Sequence, residues 1–228
     1  RFDMVRADFD RSLEDLQDEL LQLGLLVETA ILKSMEALES DNTELANEVI
    51  REDDVIDQKR FALEERCVDL IATQQPLAID LRTLLSVLHI AVELERVGDY
   101  AEGIGKICLI IADGQAAPTP DGIKRMAELG VGMLRGSLKS LVDRDVDLAN
   151  RVWGEDDEVD ALYADVCRQI FEKMSREPQS IQVATHLLWV AHDLERIADR
   201  STNIAERVIF LVTGEIAPPF EPADEEPA

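Results

Sequence analysis

Four pairs of acidic side chains stand four residues apart in this chain: Asp53 with Asp57, Glu95 with Asp99, Asp156 with Asp160, and Glu195 with Asp199. On a helix, side chains at i and i+4 leave from one face, so each pair would set two like charges side by side. That arrangement weakens a helix by about 0.2–0.5 kcal/mol unless something compensates. Their position raises the stakes. The apolar register Leu81, Leu84, Leu88 and Ala91 runs straight into Glu95, then Gly98 or Asp99, then Glu102. Ala184, Leu188 and Ala191 run likewise into Glu195, then Ala198 or Asp199. The carboxylates therefore belong at the edge of a packing seam, where they must be protonated, paired or bound to a cation. Oxygen donors without imidazole or thiolate suit hard cations such as Mg2+, Mn2+ or ferric iron, with zinc behind them. For any one pair the plainer alternative is a solvated acidic face, with local pairing to Arg96 or Arg196. The repetition favours a cation held between helices.

The elements that would carry these acids are helices. Leu13, Leu16, Leu20, Leu23, Val27 and Ala30 recur in steps of three and four, the seam of a first helix. Ser40, Asp41, Asn42 and Thr43 offer N-caps for a second, running to about Thr73, and Pro76 ends it. A third spans about 79–112. Asp113, Gly114, Pro118 and Pro120 mark a linker over 113–120. Ile123, Met126, Gly130, Met133, Ser137 and Leu141 carry the period into a fourth helix. A fifth is expected over about 145–175 and a sixth over about 181–212. The tail, 215–228, is rich in proline and acid and reads as disordered.

The two halves repeat. Ala46-Asn47 with Val49, Glu52-Asp53-Asp54 and Asp57 recurs 103 residues later as Ala149-Asn150 with Val152, Glu155-Asp156-Asp157 and Asp160. Leu94-Glu95-Arg96 with Asp99 recurs 100 residues later as Leu194-Glu195-Arg196 with Asp199. The expected fold is all-α: two tandem, sequence-related three-helix bundles over 1–112 and 121–214, built from six long helices.

Charge narrows the function. With 48 acidic against 23 basic residues the net charge is −25, which excludes simple binding to a nucleic-acid backbone. It also opposes binding to anionic lipid without a partner or a bound cation. The most apolar stretch, 84–94, contains His89 and Glu93 and is too short to span a bilayer. The start, 1–10, alternates charged and apolar residues and lacks a signal-peptide core. Cys67, Cys108 and Cys167 are odd in number and sit among apolar neighbours, as buried free thiols would. A cytoplasmic protein is expected.

The paired Glu-Arg-x-x-Asp signatures, each preceded by an Asp-rich helix in a duplicated bundle, resemble the PhoU family, accessory proteins of bacterial phosphate transport. The resemblance runs from about 9 to 213 and is most specific over 193–206. The first copy departs from it at Tyr100, and carries Gly103 where the second has Asn203. The resemblance implies a cytoplasmic, usually dimeric protein that binds metal through the acid-x-x-x-Asp motifs. It further implies a negative regulator of phosphate uptake and of the phosphate regulon. The implied partners are a phosphate ABC transporter ATPase and a phosphate-sensing histidine kinase.

Other residues add little chemistry. His89, His186 and His192 read as structural or surface groups; His89 precedes Glu93 by four, but no Glu-x-x-His occurs. Gly130, Gly132 and Gly136 lie on a helix, so they form no phosphate loop; close helix packing is their expected role. The same face, with Ser137, is the one sequence hint of a homodimer. Trp153 and Trp189 fit as core or groove anchors. No nucleophile has a supporting context. Two classes remain: a non-enzymatic metal-binding regulatory adaptor, which is favoured, and a metal-dependent enzyme or metal store using the same carboxylates.

Overall fold

The computed structural model describes residues 2–112 and 119–215. Within them lie α1 (Phe2–Ser40), α2 (Thr43–Gln74) and α3 (Ile79–Ala112), then α4 (Asp121–Asp143), α5 (Val146–Gly154), α6 (Asp156–Arg176) and α7 (Ile181–Thr213). A single 3-10 turn, Pro178–Ser180, precedes α7, and there is no strand among the described residues. Most of the expected linker and the whole tail beyond Glu215 lie outside them.

Helix ends follow local chemistry. Asn42 caps α2, its Oδ1 accepting from the Leu45 amide at 3.1 Å. Asp145 does the same for α5 through Leu148 at 2.9 Å. Gln75 closes α2 in the left-handed region at φ 47, ahead of Pro76. Gly214 closes α7 at φ 79, the left-handed region that favours glycine, with the Arg82 guanidinium beside it.

The expected fifth helix is two. It breaks at Glu155, between α5 and α6. Gly154 is the reason on one side, since glycine costs about 1 kcal/mol against alanine inside a helix. On the other side, Asp156, Asp157 and Glu158 fill the first turn of α6, where carboxylates favour a fresh N-terminus. The matching position in the first half is Arg51, and α2 runs through unbroken.

The seam drawn from α1 is real: Leu16, Leu20, Leu23 and Val27 are fully buried and Ala30 nearly so, while Leu13 packs against them. α1, α2 and α3 form one bundle; α4, α5, α6 and α7 form the other. The two share one continuous apolar core, because α3 and α7 pack along each other. They run antiparallel: Glu93 of α3 meets Arg200 and Asn203 of α7, and Gly103 of α3 lies against Asp193. No described helix is long and apolar enough to cross a membrane.

Small residues on α4 are consumed inside the chain. A Cβ on Gly130 would touch Ile197 at 3.4 Å, one on Gly136 would strike Val152 at 2.7 Å, and Ser137 is fully buried. Close helix packing was the right expectation for Gly130 and Gly136. Gly132 differs: it is exposed, and a Cβ there would meet nothing within 4 Å.

Candidate metal centres

The first centre forms where α2 lies against α3. Asp53 and Asp57 project from α2 and Asp99 from α3, and one carboxylate oxygen from each falls within 4.8 Å of the others. Glu95 borders the cluster, close enough to feel the charges of Asp99 and Asp57. So does Glu102, which raises the pKa of Asp53 and of Asp99. Burial, then Glu102, Asp57 and Asp99, pushes Asp53 up to about 7. Burial, followed by neighbouring carboxylates, also raises Glu95 and Asp99. Lys106 partly offsets this, but its ammonium is already paired with Glu102 at 2.5 Å.

Gly98 lets the helices close to this distance. A Cβ there would lie 3.1 Å from Ile56 Cγ2 and 3.3 Å from Asp53 Oδ1. In the second half the matching positions are Ala198 and Val159, a methyl gained on one helix and lost on the other. Gly98→Ala should therefore cost about 1 kcal/mol net, overpacking outweighing a helix-propensity gain of similar size. Adding Ile56→Val should recover most of it. Chemical denaturation of the four chains of this double-mutant cycle checks the coupling; strictly additive effects would refute it.

The second candidate centre draws on the matching positions of the other half. Asp199 lies near enough to raise the pKa of Asp156, Asp160 and Glu195, and Asp156 and Asp160 near enough to raise that of Glu195. Burial, then Asp199, pushes Glu195 up to about 7. Asp156 rises to about 6 by burial and by Asp199 and Asp160, against a hydrogen bond from Thr202 Oγ1 at 3.4 Å. Thr202 stands where the first half has Glu102. Arg196 Nη1 donates to Asp199 Oδ2 at 2.7 Å and also meets Tyr100 of α3. Among the described residues, a triad with ligand atoms within 4.8 Å occurs only in the first half. Local arginine pairing, the plainer alternative, thus holds for Asp199 alone.

The donor set fits a cation. Asp53 Oδ1, Asp57 Oδ1 and Glu195 Oε2 are buried without a hydrogen-bond partner, a costly condition for a carboxylate oxygen. Asp53, Asp57 and Asp99 supply oxygen donors alone, which suits a hard cation. Glu102, one turn beyond Asp99 in the same register, adds its charge to the border of the cluster.

Other candidates resolve into structure. Asn203 donates its amide to Glu93 at 3.1 Å across the two bundles. His89 Nδ1 bonds the Leu85 carbonyl at 2.7 Å. Trp153 is half-buried and bonds Glu206, whereas Trp189 is 55% exposed and anchors no core. Cys67 and Cys108 are buried and free, their thiols pushed by burial up to about 12; Cys167 is only half-buried.

Comparison with known proteins converges on one family. The PhoU domain model matches this chain twice, over residues 20–108 and 123–208. A phosphate-specific transport system accessory protein PhoU homolog from Clostridium acetobutylicum is 36% identical over 212 residues, spanning 92% of this chain and 97% of its own. A homolog of the same description from Aquifex aeolicus is 38% identical over 206 residues, covering 90% and 93%. The crystal structure of PhoU from Pseudomonas aeruginosa superposes with a TM-score of 0.87 at 32% identity, covering 91% of this chain and all of the other. That of the phosphate transport system regulatory protein PhoU from Streptococcus pneumoniae gives 0.86, also at 32% identity, covering 92% and 99%. Both matched segments contain one acidic centre each, in bundles of the same build. The chain belongs to the PhoU family.

Proposed function

We propose that this chain is a metal-binding regulatory adaptor that restrains phosphate uptake and phosphate-regulon signalling. It works in the cytoplasm, as a homodimer, by contact with a phosphate ABC transporter ATPase and a phosphate-sensing histidine kinase, and it catalyses no reaction of its own. The observation that carries this is the match of both repeats, over nearly all of this chain, to proteins described as accessory to phosphate-specific transport. The buried, unpartnered carboxylate oxygens support the metal.

Asp53, Asp57 and Asp99 would hold the first cation, with Glu95 and Glu102 at its border; Asp156, Asp160, Glu195 and Asp199 would hold the second. When bound, such a cation supplies positive charge that cancels carboxylate repulsion. The residues themselves do the positioning. Gly98 lets α3 approach α2, and Arg196 bonds both Asp199 and Tyr100 of α3. With repulsion cancelled, the helix pairs present one fixed surface to a partner.

Deleting the gene should raise phosphate uptake and switch on phosphate-starvation genes in phosphate-rich medium. The wild-type chain should reverse both, and a folded Asp53→Ala/Asp99→Ala chain, carrying about half the metal if the centres are independent, should do so less well. Uptake and gene expression unchanged by deletion would defeat the regulatory assignment. Phosphate-ester turnover abolished by Glu195→Ala would favour the enzyme instead.

A further inference from the structure

The two centres are not chemically equal, and the difference lies just outside the carboxylates. In the first half Arg60 of α2 pairs with Glu64 at 2.7 Å and lends positive charge to Glu95. The matching residues in the second half are Tyr163 and Cys167, which hydrogen-bond each other and carry no fixed charge. Val92 of α3 is matched by His192 of α7. So where Glu95 has a guanidinium from the neighbouring helix, Glu195 has an imidazole from its own.

That imidazole is placed. His192 Nδ1 stands 3.9 Å from Glu195 Oε2, the oxygen that is buried without a hydrogen-bond partner. Its ring is bracketed by Tyr163, with centroids 6.5 Å apart, and by Trp189, edge-on at 6.2 Å. The His192 side chain is 45% exposed and that of Glu195 19%, so the ring sits at the solvent mouth of the carboxylate. Two donors sharing one cation at about 2.1 Å each lie roughly 3–3.5 Å apart, within reach of a small side-chain rotation. The second centre also has use for another donor, since Arg196 occupies one Asp199 oxygen and Thr202 replaces Glu102.

We propose that His192 is a further ligand of the second centre, so that this centre selects a borderline d-block cation such as Zn2+ or Co2+. The first centre, all oxygen, keeps its preference for hard cations. This rests on the metal reading of the acidic motifs given above. Trp189 makes the second centre visible, because a paramagnetic ion on His192 would quench its fluorescence.

The test uses the full chain, with Zn2+, Co2+ and Mn2+ added singly after chelator treatment. Bound zinc should show a nitrogen donor by X-ray absorption, and Co2+ should quench a fluorescence component that Trp189→Phe removes. His192→Ala should weaken Zn2+ and Co2+ binding at this centre at least about tenfold, with Mn2+ at the first centre unchanged. His192 is half-exposed, so the variant is expected to keep its melting temperature. A nitrogen-free zinc shell, or equal Zn2+ affinity in His192→Ala, overturns the proposal. If Glu195→Ala/Asp199→Ala also leaves bound metal unchanged, the metal reading of this centre falls with it. If that variant loses metal while His192→Ala does not, only the imidazole ligand is refuted.

Discussion

In the presence of a chelator this protein should melt at a higher temperature at pH 5.5 than at pH 8, by about 8–16 °C if each of four raised carboxyl groups contributes about 1 kcal/mol after solvent screening. Asp53, Glu195 and Asp193 are pushed up to about 7, and Asp156 to about 6, by burial first and, except for Asp193, by neighbouring carboxylates after it. In the unfolded chain the same groups titrate near 4. Between those values the folded state holds protons that the unfolded state has released, so stability falls as pH rises through about 4 to 7. The sign is opposite to that of a salt-bridged carboxylate. Pairs such as Lys33 with Glu48 and Glu52 pull the other way only at lower pH, because pairing lowers the pKa of Glu48. A saturating divalent cation should oppose the trend, since it binds the deprotonated carboxylates. At a hundred times its Kd it adds about 2.7 kcal/mol, most of it seen at the higher pH. Calorimetry at the two pH values, with chelator and then with metal, measures both effects. A chelated protein more stable at pH 8 would show that these carboxylates are not strained against one another.

Much of this was legible before any coordinates. The spacing of Leu16, Leu20, Leu23 and Val27 requires a helix with one buried stripe, and the repeated acid motifs require two similar halves. The register of Leu84, Leu88 and Ala91 also placed the carboxylates at the seam's edge. Spacing along one helix says nothing about side chains arriving from another, however. The turn of Arg196 onto Asp199 depends on Tyr100 of α3, and the role of Asn203 depends on Glu93, both across the bundle boundary. The break at Glu155 was hidden because α5 and α6 keep the same apolar period through Val152 and Val159, both buried. Gly154 followed by a run of acids was its signal. Close packing at Gly130 and Gly136 was legible from their place on a helix, but not that Ile197 and Val152 are what fill the space above them.

The same boundary carries the largest single-residue effect expected outside the centres. Arg200 Nη1 donates to Glu93 Oε2 at 3.2 Å, and Asn203 donates to the same oxygen at 3.1 Å. Their surroundings are dry: the Arg200 side chain is 12% exposed and that of Glu93 20%. Arg200→Leu would leave the Glu93 carboxylate largely buried with one neutral donor, and should destabilise the chain by about 3 kcal/mol. Replacing both members, Glu93→Leu/Arg200→Leu, should cost far less, because an apolar pair of similar volume avoids desolvating two ions. The matching residues of the two repeats, Asp193 and Tyr100, form no such ion pair. Between α3 and α7 this pair lies off the approximate two-fold relation of the repeats and favours one register, while Lys124–Glu39 and Arg135–Glu28 tie α4 to α1 elsewhere on the same boundary. Glu93 lies two residues from Glu95, and Arg200 is next to Asp199, so that register also sets how the two centres stand to each other. Urea denaturation of the single and double variants tests the pair. A loss below about 0.5 kcal/mol for Arg200→Leu would place it among ordinary surface ion pairs, and would leave the apolar packing of α3 on α7 as the main tie between these two helices.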